Sequence, residues 1–373
     1  MRVIDGIPVW GNPVDEGALT QIKVSARTAS RAALMADHHK GHAVPIGGVL
    51  AYENSVSPSG VGYDIGCGNK AVRLDVDLRV TDIPMAMDMI YSNLSFGVGR
   101  VNERAPDHPL FDDPAWNIIP QFKGMARKQL GTIGSGNHYV DLFNDEQGRG
   151  WVGVHFGSRG LGHKTATQFL RAGGAKDGMD VEPLVLPLGT PLGDDYMEAM
   201  RLAGEYAYAG RDWVCEEVAR LLGATIVEEI HNHHNFAWRE THGDKEYIVV
   251  RKGATPAFPG QRGFIGGSMG ENAVIVEGID HPDHVAGLYS TIHGAGRVMS
   301  RTAAKGEWNR KTGEAISPGL ISEADMRGWL ANVGVELRGA GVDEAPQAYK
   351  RLSEVLAHHE GAGLGHDAQT GRA

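Results

Sequence analysis

Five short islands in which glycine, histidine and asparagine concentrate constrain this chain more than any other feature. They are SGVGYDIGCG (59–68), GSGNHYV (134–140), VHFGSRGLGH (154–163), HNHHNFAW (231–238) and TIHGAGRVMSR (291–301). Glycine lets the backbone turn and approach a ligand where a side chain would interfere, so the islands break the chain into short elements joined by chemically equipped turns. The 52 glycines in 373 residues are about twice the usual ~7% share, with no G-X-Y period. Hydrophobic residues make up 42%, enough to bury a large core. No stretch approaches the ~20 apolar residues that span a bilayer, and the start MRVIDGIPVWGNPVDEG lacks the pattern of a signal peptide, so a soluble, cytoplasmic protein is expected.

Between the islands, strand and helix patterns intermix. Lys70 to Arg79 alternates, with Val72, Leu74, Val76 and Leu78 on one face and Arg73, Asp75, Asp77 and Arg79 on the other, which predicts a half-buried strand. Asp212 is placed to cap a helix ending at Gly223, with Val214, Val218, Leu221 and Leu222 inward and Cys215 packing near its start. Ser322 with Asp325 resembles a capping box, and 343–357 reads as a last helix. Four prolines and several acids between residues 102 and 120 mark an irregular excursion, and about 360–373 reads as a polar tail. The expected class is α+β, without repeats or a convincing domain boundary.

The islands carry the chemistry. Asp64 and Cys67 are followed by His138, His155, His234 and His293, each beside Asn, Gly or an apolar run. Thiolate and imidazole prefer softer divalent ions and carboxylate tolerates harder ones, so this set suits one or two transition metals. Cys67 and Cys215 are too few for a disulfide framework, which leaves Cys67 free as a ligand. In HNHHN, composition does not choose between His231, His233 and His234. His281 and His284 in DHPDH, and His358, His359 and His366 near the C-terminus, read as solvated. Arg159 in FGSRGLGH, and Arg251, Lys252 and the turn around Ser268, look suited to anions, although no P-loop is present. A net charge of −10 argues against a broad electrostatic footprint for nucleic acid, so any phosphate recognition is expected to be local.

The order and wording of MADHHKGHAVPIGGVLAY, SPSGVGYDIGCG, GTIGSGNHYVDL, HFGSRGLGH, HHNFAW, RKGATPAFPG, GSMG, HGAGRVMSR and DEAPQAYK resemble the RtcB family of RNA ligases over about residues 35–355. The resemblance implies a single RtcB-like domain over 1–373, with sheets and helices around a central metal-binding cleft. It implies a ligase joining an RNA 3′-phosphate or 2′,3′-cyclic phosphate end to a 5′-hydroxyl end, in RNA repair or tRNA splicing, with GTP and two Mn²⁺ ions. An archease-type activator is an implied partner.

Carried over position by position, the metal ligands are Asp64, Cys67, His138, His155 and His234, with Cys67 bridging two ions. His293 is the implied acceptor of GMP. Asn137, Asp141, Asn235, Ser268, Gly296 and Tyr349 fall at nucleotide-contacting positions, and Asp37 lies near the catalytic pocket. Asp141 stands where the family commonly has a glutamate contacting guanine. The family's usual closing Lys-Gly pair is replaced by GAGLGHDAQTGRA, with no lysine after Lys350. Two other classes fit the residues: a dinuclear metal-dependent phosphoesterase, which needs no covalent histidine, and a nucleotide- or RNA-binding relative without ligase activity.

Overall fold

The alternation after Lys70 does produce a strand, but one that spans Gly68–Leu74 and ends well before Arg79. Asp77 accepts the Arg79 backbone N–H and opens a 3-10 turn at Leu78–Val80, which takes the chain out of the sheet. The strand is also buried on both faces rather than one. Lys70 is only 4% exposed because Asp212 and Glu229, at 2.6 and 2.8 Å, cover its ammonium group.

The structure, a computed structural model, describes residues 1–176, 178–308, 312, 315–359 and 364–366. The Gly68–Leu74 strand lies inside a four-stranded antiparallel sheet, ordered Ile226–His233, Gly68–Leu74, Gly150–Phe156, Tyr139–Asn144. Its register pairs Gly68 with both His233 and Phe156, and Tyr139 with His155. Four of the five islands therefore meet at one end of this sheet. A six-stranded sheet stands beside it, ordered Arg2–Ile4, Ile7–Val9, Arg31–His39, Ile46–Tyr52, Lys245–Lys252, Asn235–His242. The mixture of helices and largely antiparallel sheets is the α+β class expected.

The helix expected from Asp212 is far longer. It runs from Pro191 to Leu222, capped by the Thr190 hydroxyl on the Gly193 N–H and closed by Gly223 at φ 65°. Its buried residues upstream of 212 are mostly Ala, Tyr and Gly, with Met200 and Leu202 among them, so it carries little of the aliphatic period that marks a helix. Asp212 sits mid-helix and serves as an ion-pair partner of Lys70, while Cys215 is fully buried packing, as expected. The Ser322–Asp325 capping box is present, opening helix Glu323–Val333. Residues 343–357 are not one helix: 3-10 turns at Val342–Glu344 and Pro346–Ala348 precede a short helix at Leu352–Ala357, since Pro346 has no N–H for a continuing ladder.

The excursion between 102 and 120 is irregular, with 3-10 turns at Pro109–Asp112 and Pro114–Asn117, yet it delivers Phe111, Trp116 and Ile119 to the core. Two of the histidines expected in solvent are buried. His359 is 1% exposed, stacked on Trp10 at 5.6 Å and accepting the Ala36 N–H, and His284 is 2% exposed. His281 is half-buried and caps the helix at Pro282–Ala286, and His358 is also half-buried. Most of the 360–373 tail and the side chain of His366 lie outside the described residues, although backbone 364–366 pairs with strand Val274–Gly278.

The long helix is tied to the island end of the sheet by Arg211, which is fully buried. Its guanidinium donates to the Gly66 and Phe156 carbonyls and contacts His231 Nε2 at 2.8 Å and His233 Nδ1 at 3.0 Å. Replacing it with an apolar side chain leaves these acceptors buried without a donor. Arg211→Leu is expected to cost about 3 kcal/mol or more in urea unfolding, because several buried acceptors lose partners at once.

Candidate active site

Helix Pro58–Val61 ends at Gly62, and the chain then makes the turn that carries Asp64 and Cys67. The Cys67 N–H bonds back to the Asp64 carbonyl at 3.0 Å, and Gly66 supplies the positive φ of 69° that lets both side chains point to one side. The Ser158 N–H and hydroxyl both donate to the Ile65 carbonyl, which fixes the turn against the VHFGSRGLGH island. Gly157 is required here, since a Cβ would sit 2.3 Å from Asp64 Oδ1.

Around Cys67 the side chains form two triads that share its sulfur. Cys67, His155 and His234 make one, and Asp64, Cys67 and His138 the other, with the ligand atoms of each within 4.8 Å of one another. Cys67 Sγ lies 3.2 Å from His155 Nε2 and 3.8 Å from His138 Nε2. His155 Nε2 faces His234 Nε2 at 3.3 Å, and His138 Nε2 lies 2.9 Å from Asp64 Oδ2. Outward nitrogens are held by the protein: His155 Nδ1 against the Asn137 carbonyl, His138 Nδ1 against the Ile133 carbonyl and Arg159. The ambiguity in HNHHN is resolved geometrically. His231 and His233 turn to Arg211, and His234 turns to the sulfur and His155.

Electrostatics support a cation at this point. Burial pushes the Cys67 thiol well above its usual range, with Asp64 adding to the effect, and burial likewise drops His155 and His234 far below theirs. The imidazoles are thus neutral, as ligands must be, and a bound dication would reverse the penalty on the thiolate. Burial raises Asp64 too, but hydrogen bonding and charge from His138 and Arg159 outweigh it and hold the carboxylate at about 2. Three imidazole nitrogens, a sulfur and a carboxylate oxygen, set in two triads about the shared Cys67 sulfur, fit soft-to-borderline divalent ions.

Beside the cluster, His293 is gripped by Asp37. Its Nδ1 lies 2.6 Å from Asp37 Oδ2, its backbone N–H donates to the same oxygen at 2.9 Å, and its ring stands 4.7 Å from that of His234. Asp37 is fully buried; burial raises its carboxyl, but charge and hydrogen bonds from His293, with the charge of Lys350, hold it below the usual range. Asp64, Cys67, His138, His155, His234 and His293 open into a cavity of about 1060 Å³, which Asn137, Asp141, Asn235, Ser268, Gly296 and Tyr349 also line, with Asp37 buried behind it.

Several of those residues are already engaged. Asn235 spends its amide on the Gly253 N–H and the Asp64 carbonyl, so it braces the site. Ser268 bonds Glu271, and the Tyr349 hydroxyl meets Glu344 and Arg297. The anion-binding expectation fails for Arg251, which is wholly buried and paired with Glu240 and Ser290. Lys252 is also buried, donating to the His42 and Ser59 carbonyls away from this cavity. Sequence reasoning missed Arg301, which bonds Asn137 Oδ1 at 3.2 Å and Glu344, and missed the structural role of Arg211. The signal for Arg301 lay inside the HGAGRVMSR island.

A buried mixed-donor centre beside a carboxylate-held histidine, under a cavity of nucleotide size, is the architecture of an enzyme with a metal-capable site. Its sequence relatives agree. The chain belongs to the RtcB family: the family profile described as tRNA-splicing ligase RtcB matches residues 19–124 and 112–372. The RNA-splicing ligase RtcB of Escherichia coli K12 is 32% identical over 396 aligned positions, covering 94% of this chain and 92% of that protein. The tRNA-splicing ligase RtcB of Thermococcus kodakarensis is 30% identical, covering 89% and 84%, and the RNA-splicing ligase RtcB homolog 1 of Entamoeba dispar 29%, covering 88% and 75%.

The shared sulfur sets a spectroscopic expectation. Cobalt(II) loaded into the wild-type protein should give a thiolate charge-transfer band in the near ultraviolet, and Cys67→Ser should lose the band and bind the metal more weakly. A second expectation concerns Asp141, whose carboxyl burial raises to about 7. The folded state holds that proton while an unfolded aspartate releases it near ~4, so the stability it contributes is complete below about 4 and is lost as pH rises towards 7. Asp141→Asn should therefore melt higher than wild type at pH 8, and the difference should shrink as pH falls towards 4.

Proposed function

We propose that this chain is an RNA ligase that joins a 3′-phosphate or 2′,3′-cyclic phosphate end to a 5′-hydroxyl end, spending GTP through a covalent histidine–GMP intermediate. The observation that carries the reading is the Asp37–His293 pair set against the Cys67 cluster. An imidazole whose Nδ1–H is fixed by a buried carboxylate keeps its Nε2 lone pair for attack. His293 Nε2 bonds to the α-phosphorus of GTP, the bond to the β-phosphate oxygen breaks, and pyrophosphate leaves. Asp37 stabilises the positive charge that the ring carries in the adduct.

An oxygen of the RNA 3′-phosphate then attacks the same phosphorus and breaks the P–N bond, returning the electron pair to His293. The 5′-hydroxyl attacks the activated 3′-phosphorus, a phosphodiester forms, and GMP departs. A cyclic end must first be opened by water. Asp64, Cys67, His138, His155 and His234 are assigned to hold two Mn²⁺ ions, which when bound neutralise charge on the transferring phosphoryl groups. Arg301, bridging Asn137 and Glu344 at the cleft wall, is placed to orient phosphate oxygens.

Asn137, Asp141, Asn235, Ser268, Gly296 and Tyr349 are assigned to the guanine nucleotide, on the ground that they line the same cavity. Residues 1–373 are read as one catalytic domain. Repair or tRNA splicing is the process, in the cytoplasm, with an archease-type activator as a partner; no helix among the described residues is long and apolar enough to cross a membrane.

His293→Ala is the deciding variant. It should bind Mn²⁺ with unchanged stoichiometry, form no acid-labile adduct with α-labelled GTP, and lose all joining of 3′-phosphate to 5′-hydroxyl RNA. Hydrolysis of phosphate esters by His293→Ala, with no adduct on the wild type, would instead identify a phosphoesterase.

A further inference from the structure

At about 1060 Å³ the cleft exceeds the roughly 300–1,000 Å³ that holds a small ligand, and it continues past the metal-capable centre to a wall that no nucleotide-assigned residue occupies. That wall is helix Ile83–Asn93, capped by Asp82. Ala86 and Ile90, 1% and 2% exposed, face the core, and the adjoining i, i+4, i+8 stripe of Ile83, Met87 and Tyr91 faces the cleft. Tyr91 stacks on Phe96 with ring centres 5.5 Å apart and planes 26° apart, yet remains 46% exposed.

Phe96 is fixed from behind. It packs against the core, and the next residue, Gly97, bonds the Gly134 carbonyl at the start of the island that carries His138. The facing wall, residues 335–341, touches the Tyr91 edge: a Cβ on Gly339 would come within 2.7 Å of it. Arg338 of that wall is held by Asp88 of the helix at 2.6 Å and by Glu336 at 3.1 Å, which ties the two walls together.

We propose that Tyr91, backed by Phe96, is a stacking platform for an unpaired nucleobase of the RNA next to the ends being joined. The proposal rests on the ligase reading and extends it to how the strand is held. Tyr91 combines 46% exposure with a place in the lining of the same cavity as His293, so its ring is open to a ligand held there. Every nucleobase has a face to stack, so such a platform grips ends of any sequence. A net charge of −10 disfavours long-range attraction of the phosphate backbone, which makes stacking a useful source of RNA affinity.

The test uses short RNAs carrying 2-aminopurine at the terminal position, one with a 3′-phosphate end and one with a 5′-hydroxyl end, titrated with the full-length protein. Wild type should quench the probe on at least one strand. Tyr91→Ala should raise the Kd for that strand at least about fivefold, the lower end of what base–aromatic stacking supplies, while Tyr91→Phe and Tyr91→Trp stay within about twofold of wild type. An RNA lacking the terminal base should bind wild type and Tyr91→Ala equally. Absence of quenching on both strands, or a Tyr91→Ala loss that persists on the abasic strand, overturns the platform. Binding is read without turnover: a wild type that quenches the probe but forms no GMP adduct and joins nothing would sink the ligase reading and leave the platform standing.

Discussion

One fully buried guanidinium organises the catalytic end of this molecule. Arg211 reaches from the long helix into the place where the Asp64–Cys67 turn, the Gly150–Phe156 strand and the HNHHN segment meet, and each of those segments gives it an acceptor. Burying a charge without a carboxylate partner is expensive, and here two carbonyls and two imidazole nitrogens replace the lost water. The arrangement also sorts the histidines: His231 and His233 are held against Arg211, His233 Nδ1 also lying 3.0 Å from the Gly66 carbonyl, and the chain direction then turns His234 the opposite way, towards Cys67 and His155.

The Cys67 cluster and the Asp37–His293 pair belong to different parts of the fold. The first sits at the end of the four-stranded sheet; the second joins the Arg31–His39 strand of the six-stranded sheet to the segment after Ser290–Ile292. Small polar residues stitch the two together. Asn69, one residue past Gly68, donates to the Phe264 carbonyl and, at 3.5 Å, to that of His293. Asn235 spans the Asp64 turn and Gly253, whose missing side chain makes room for the His293 ring. Gly296 packs directly against the Asp37 carbonyl, where any Cβ would clash at 2.1 Å. These contacts set the spacing between the ring of His293 and the Cys67 cluster, which is the spacing that the proposed phosphoryl chemistry depends on.

Burial gives the cluster its chemical character. Away from water His155 and His234 stay neutral and the Cys67 thiol is held protonated, so a dication must displace the thiol proton and its own charge must offset the cost of the buried thiolate. The cleft above it changes character along its length, from amide and carboxylate groups near His293 to the apolar stripe of helix Ile83–Asn93, matching a ligand that is polar at its reacting end and aromatic further out.

Much of the candidate site was legible in the sequence because its parts are local. Gly-rich turns carry polar and titratable side chains within a few residues, so Asp64, Cys67, His138, His155 and His293 could be singled out as candidates; the capping box at Ser322 rests on side chains adjacent to the backbone they satisfy, and the stop at Gly223 on a positive φ that glycine adopts without strain. What was not legible depends on distant partners. The long helix hid its first turns behind buried positions that are mostly Ala, Tyr and Gly, and the burial of Arg251, Lys252, His284 and His359 follows from segments folding over them from far along the chain. The sequence by itself determined which donors were available; which donor faced which, with His234 inward and Asp37 behind His293, was decided only by tertiary structure, because strand register and buried acceptor demand couple residues as far apart as Asp37 and His293, 256 positions along the chain.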